Sequence, residues 1–173
     1  MKQITEAEKM TQLNNRQVEF RTSEIRAEIR KEENEKGKMV LRGYPILFNT
    51  PTTIHTIFGD EITETILPTA LDRTDLSNVY LLVGHNPDNL IGRAGINMRL
   101  EKDETGLFFE CEIPNTQYAR DWYNLTEAGI VDGMSFGFRT GDQINWETMT
   151  RTITDIIELY EITITPFPAY KSI

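Results

Sequence analysis

The sequence predicts a mainly β domain built around one clear helix, an antiparallel barrel or sandwich rather than a doubly wound sheet. Three observations carry this. Short alternating or continuous apolar runs recur from about residue 23 to the C-terminal end, and turn-forming Gly, Pro, Asn and Asp separate them. Only the stretch 115–129 combines helical spacing with a cap and a stop. Strands in series around one clear helix do not give the alternating pattern of a doubly wound fold. The length of 173 residues suits one domain with a short appendage, divided as a flexible or weakly helical leader over 1–22 and a domain over 23–173.

Residues 1 to about 16 lack a sustained apolar stripe, which is why they read as a leader. From Ser23, Ile25, Ala27 and Ile29 alternate with charged neighbours, as on a half-buried strand. Glu33 to Gly37 is a turn leading to a second strand from Met39 to Phe48, which Asn49-Thr50-Pro51 closes. Thr52 to Asp60 reads as a loop and Glu61 to Leu67 as a strand, after which Pro68 opens a short helical turn. Val79 to Val83 has the length and continuity of a buried strand, and His85 follows at its end, where a rigid element hands over to a loop. A hairpin is expected from Ile96–Leu100, Glu104-Thr105-Gly106 and Leu107–Ile113. In the helix, Asn115 or Thr116 is the cap, Tyr118, Trp122 and Leu125 recur at helical spacing, and Gly129 is the stop. The run Val131–Phe138 follows directly. Gly141-Asp142 then turns the chain into strand-like residues at 144–146 and 149–157, and 158–165 ends the series.

Composition narrows the function. Hydrophobic content of 39% and charged content of 26% are ordinary for a soluble globular protein, and no apolar run approaches the roughly 20 residues of a membrane span. A net charge of -9 without a dense Lys/Arg cluster argues against a nucleic-acid partner. With one cysteine and two histidines, the usual Cys/His zinc site cannot be assembled, and no metal or cofactor is expected. Cys111, in an alternating run, is expected as a small buried apolar residue. The polar N-terminus has no signal-peptide core, so a cytoplasmic setting is expected.

The chemistry concentrates in Gly133-Met134-Ser135-Phe136-Gly137-Phe138. Here a hydroxyl sits between two glycines that would let a substrate backbone approach. A serine needs a base within hydrogen-bond reach and a third group to orient that base. The only histidines are His55 and His85, and His85 in Val83-Gly84-His85-Asn86-Pro87 is the expected base. The stretch also spells Gly-x-Ser-x-Gly, but an α/β-hydrolase elbow needs a helix after the serine and a histidine downstream of it. Both histidines lie upstream, so that fold is set aside. The plain structural alternatives are a packing serine at 135, a loop histidine at 85 and a surface ion pair at Glu161.

In chain order, Gly43-Tyr44-Pro45-Ile46-Leu47-Phe48-Asn49, Glu64–Leu71, Gly84-His85-Asn86 with Ile91-Gly92-Arg93, Gly133–Phe138, and Leu159–Pro166 with Pro168-Ala169-Tyr170 resemble the landmarks of the prohead maturation proteases of tailed bacteriophages. This family is distantly related in fold to the herpesvirus capsid proteases, and the resemblance spans about Ile25 to Tyr170. It implies a β-barrel of the herpesvirus-protease type flanked by helices. It also implies a serine endopeptidase inside the immature capsid in the host cytoplasm, cutting scaffold or coat-protein segments and often itself. Carried over, Ser135 would be the nucleophile, His85 the general base and Glu161 the orienting acid. His55, the counterpart of the third member in the herpesvirus relatives, stands behind Glu161, with Asp88 and Asp132 further back. Glu158 and Glu161, three apart, would face opposite sides of a strand. For the oxyanion, the candidates are the backbone around Gly137 and the side chains of Arg139 and Arg93. A homodimer or higher homo-oligomer is implied by the relatives alone. The rival reading is a non-catalytic scaffold or capsid-assembly module on the same barrel.

Overall fold

The computed structural model describes residues 19–23, 37–56 and 58–166. Eleven strands lie there: β1 Glu19–Ser23, β2 Val40–Leu47, β3 Thr52–His55, β4 Glu61–Ile66, β5 Tyr80–Val83, β6 Asn86–Arg93, β7 Met98–Lys102, β8 Gly106–Glu112, β9 Gly133–Thr140, β10 Thr150–Ile153 and β11 Ile156–Thr165. A 3-10 turn covers Pro68–Leu71 and the helix α1 covers Gln117–Glu127. The alternation at Ile25–Ile29 and the turn at 33–36 lie outside the described residues, as do Pro168-Ala169-Tyr170.

The strands form three sheets, in the orders β1-β9-β11-β5-β6, β10-β4-β3 and β2-β8-β7. Among the described residues no closed barrel is found. The expected antiparallel arrangement is corrected at two pairings: β11 runs parallel to β5, and β10 runs parallel to β4. The physical reason is that both pairs join segments remote in sequence, where no hairpin forces the direction. Of the expected flanking helices, the described residues contain α1 and the 3-10 turn.

Several local expectations hold. The β7–β8 hairpin pairs Met98 with Cys111 through Lys102 with Leu107. Gly129 stops α1 with φ 72°, a conformation that costs glycine little. Thr116 is the N-cap, though its hydroxyl makes no capping bond. Others differ. Thr52–His55, expected as loop, is a strand because it pairs with β4. Asn86–Arg93 is also a strand, with Pro87 tolerated because β6 is the edge of its sheet. Ile144–Trp146 contributes only the bridge from Asn145 to Thr150. β1 takes in Glu19 to Thr22, which fall in the expected leader; there the chain is a strand against β9.

One face of the five-stranded sheet builds the core. Met134, Phe136 and Phe138 of β9, Ile162 and Ile164 of β11, and Leu81 and Val83 of β5 all point into it and are buried. At a period of two, the residues between them lie on the opposite face. Cys111 is buried in the core as expected, and burial pushes its thiol up to about 12. Its Sγ lies where a side chain at Gly92 would go, 2.7 Å from the ideal Cβ position. A second tether joins the sheets. Arg151 of β10, 1% exposed, forks onto Glu19 of β1 at 2.6 and 2.9 Å and reaches Glu64 of β4 at 3.4 Å. Such bidentate geometry is what a guanidinium offers a carboxylate.

Candidate active site

The face of the sheet opposite the core carries the polar residues that the sequence singles out. Register places Ser135 of β9 directly opposite Thr163 of β11, and Thr163 opposite Leu82 of β5. One row further, Gly137 faces Glu161 and Glu161 faces Tyr80. Ser135, Thr163 and Glu161 thus share a face, with neighbouring Cβ atoms across the ladder about 4.5–5.5 Å apart.

His85 is brought over this face by a tight turn. Val83 pairs with Asn86 across the two-residue loop Gly84-His85, whose φ angles are 61° and 57°. Positive φ at both central positions is the hairpin turn that matches strand twist. Glycine adopts it freely; histidine does so less readily, so the surroundings must hold it. They do: Gly84 N donates to Ile164 O at 3.0 Å, and His85 N donates to Thr163 Oγ1 at 3.0 Å. The imidazole then folds back along β11, with Nδ1 at 2.6 Å from Glu161 Oε1. His85 and Ser135 therefore flank the same threonine, one bonded to its hydroxyl and the other beside it in the ladder.

Burial grades the three groups. The His85 side chain is 26% exposed and that of Glu161 9%, whereas Ser135 is fully buried. Glu161 Oε2 is buried with no hydrogen-bond partner among the described residues. The short bond through Oε1 lies out of bulk water, where a charge-assisted contact is stronger than at a surface.

The other candidates lie elsewhere or have other partners. His55 is in the β3–β4 hairpin, 3.6 Å from Glu61 Oε1. Asp88, on the edge strand, takes part in a local turn through its backbone N and Asn86 Oδ1, and Asp132 is exposed just before β9. The expected opposite facing of Glu158 and Glu161 is corrected: a bulge between Leu159 and Glu161 puts Glu158, opposite Arg139, on the same non-core face as Glu161, with Glu158 Oε2 3.1 Å from Arg139 Nε. Bonds from Tyr160 and Arg139 hold the Glu158 carboxyl below its usual range, and the bonds of Arg139 with Glu158 and Tyr160 raise Arg139. Arg93 stacks over Tyr80 at 5.4 Å and donates to Asn78 Oδ1 at 3.0 Å. Gly137 is a neighbour of Glu161 in the ladder, two residues from Ser135.

Sequence reasoning missed Thr163, which is fully buried and holds the backbone of His85. A signal was available: Glu161, Thr163 and Thr165 put three polar side chains on one face of a strand whose other face is isoleucine.

A mainly β protein that holds a histidine on a carboxylate, over the strand next to a serine, has the residue set of a serine hydrolase. The chain belongs to the family described as Caudovirus prohead serine protease, whose model matches residues 25–173. No curated protein and no solved structure matches it. Membership supports a protease role in capsid maturation, located inside the phage capsid in the host cytoplasm, with capsid proteins as substrates. No helix among the described residues is long and apolar enough to cross a membrane.

Proposed function

We propose that the protein is a serine endopeptidase that cuts scaffold or coat-protein segments during prohead maturation, with Ser135 as nucleophile, His85 as general base and Glu161 as the orienting acid. The observation that carries this is the 2.6 Å contact between His85 Nδ1 and Glu161 Oε1. On this reading Glu161 accepts from Nδ1–H, and the Nε2 lone pair is the one that serves Ser135. Nε2 takes the hydroxyl proton as Oγ attacks the scissile carbonyl, and the imidazolium is stabilised by Glu161. That proton then goes to the leaving amine as the tetrahedral intermediate collapses to the acyl-enzyme, and water repeats the sequence to release the acid. Thr163 acts as a positioning residue for His85. For the oxyanion, the existing partners of Arg139 and Arg93 favour a backbone donor near Gly137, with the two guanidinium groups as the alternatives.

Co-expression with candidate scaffold and coat proteins, with new termini mapped by mass spectrometry, tests this reading. New termini that disappear with Ser135→Ala are expected; identical termini in both would overturn it. Self-processing is part of the proposal, and intact masses should show terminal trimming in the wild type that Ser135→Ala lacks; identical trimming in both would rule it out. A non-catalytic assembly module draws on one observation, the full burial of Ser135. On that reading the serine never reacts.

A further inference from the structure

A cleft of about 610 Å³ opens beside Glu161, lined by apolar side chains that include Leu82, Leu90, Ile157 and Tyr160. Three of the seven large hydrophobic residues exposed among the described residues meet there: Leu90 at 43%, Ile157 at 42% and Tyr160 at 38%. Scattered exposed apolar residues are ordinary, but their convergence on a concave site of this size is the mark of a ligand pocket. We propose that this cleft receives an aliphatic or aromatic side chain of the peptide substrate. The inference rests on the endopeptidase reading and extends it to specificity.

Position and lining both support the assignment. The cleft is continuous with the candidate site, because Glu161 belongs to both. Leu82, on its wall, lies two ladder steps from Ser135 through Thr163, about 10 Å at the usual strand spacing. An extended peptide advances about 3.4 Å per residue, so the side chain that fills the cleft lies about three residues from the scissile bond. The acids around the cleft already have partners. Glu158 is bonded by Arg139 and Tyr160, Glu161 by His85, and Asp75 accepts from Ser77 N at 2.9 Å. The concave surface beside these acids is mainly apolar, and an aliphatic or aromatic side chain gains most by burying against it.

The test uses the full chain and a pool of synthetic peptides containing every side chain, with cleavage sites read by mass spectrometry and Ser135 labelling by a small fluorophosphonate followed in parallel. The cut peptides should be enriched about tenfold or more in Leu, Ile, Met or Phe at two to four residues from the cut, the discrimination an apolar pocket provides. Leu90→Glu should move that preference toward Lys and Arg, a switch that mere misfolding cannot produce. Cleavage with no apolar preference in that window, a basic preference in the wild type, or an unchanged preference in Leu90→Glu would each overturn the assignment while leaving the peptidase reading intact. If fluorophosphonate does not label Ser135 and no peptide is cut, the peptidase reading fails and the cleft assignment fails with it.

Discussion

Replacing Glu161 by glutamine keeps the shape of the side chain and removes its charge. The amide then has two ways to lie. With its oxygen on His85 Nδ1, the NH2 group takes the place of Oε2, a buried position with no hydrogen-bond partner among the described residues, and a donor is stranded there. With the NH2 group on Nδ1, the imidazole must accept at Nδ1, and its proton moves to Nε2, where the base is needed. Loss of a charge-assisted bond alone is worth about 1.5–3 kcal/mol, or roughly 10- to 150-fold in rate at about 1.36 kcal/mol per decade. Holding the wrong tautomer raises the loss to about 10,000-fold in a serine triad. Turnover of a mapped cleavage site should therefore fall between about 10- and 10,000-fold in Glu161→Gln. In His55→Ala, whose imidazole faces Glu61, it should stay within about twofold. Full activity in Glu161→Gln together with abolished activity in His55→Ala would refute the assignment of the acid.

Three further outcomes follow from the same geometry. Arg151→Met takes the cation from two carboxylates, Glu19 and the 3%-exposed Glu64, and should cost about 3–5 kcal/mol in denaturant unfolding. A loss under about 1 kcal/mol would contradict that role. Gly106→Ala would put a Cβ 1.9 Å from Ile46 O; since the obstacle is backbone, β2 and β8 must part, and a loss of about 3 kcal/mol or a failure to fold is expected. Wild-type unfolding parameters in the alanine variant would show the close approach to be wrong. For Asp142, burial alone would raise the carboxyl, but donors from Thr154, Asp155 and Thr140 outweigh it and hold the group below the usual 3.8. A depressed folded value means that the unfolded state binds the proton first. The contribution is complete above about pH 4 and is lost as pH falls through the folded value. Melting curves should show Asp142→Asn losing less stability than wild type between pH 5 and pH 2, and parallel losses would remove Asp142 from the account.

Alternation and turn chemistry made the faces of the strands legible before their partners. The alternating run Leu107–Ile113 led to Cys111 being expected inside, and Leu107, Phe109, Cys111 and Ile113 are all buried. The hairpin around Glu104-Thr105-Gly106 and the stop at Gly129 were also visible, because each depends on a few adjacent residues. What the chain did not reveal is set by distant contacts. β5 and β11 pair in parallel between residues 81 positions apart in sequence, and no local period encodes that choice. Thr52–His55 and Asn86–Arg93 are polar edge strands whose composition matches loops, so only the partner strand turns them into ladder. The candidate site divides the same way. Ser135 and His85 stand out by their settings and Glu161 by family resemblance, but the grip of Thr163 on the His85 backbone depends on a register that the sequence does not spell out.

The most direct measurement of the central claim is mass-mapped labelling of the folded protein with a serine-directed phosphonate. One adduct per chain on Ser135, lost in His85→Ala at unchanged melting temperature, is the predicted result. A folded wild type that takes no label at Ser135, or a His85→Ala variant that labels as fast as wild type, would contradict it.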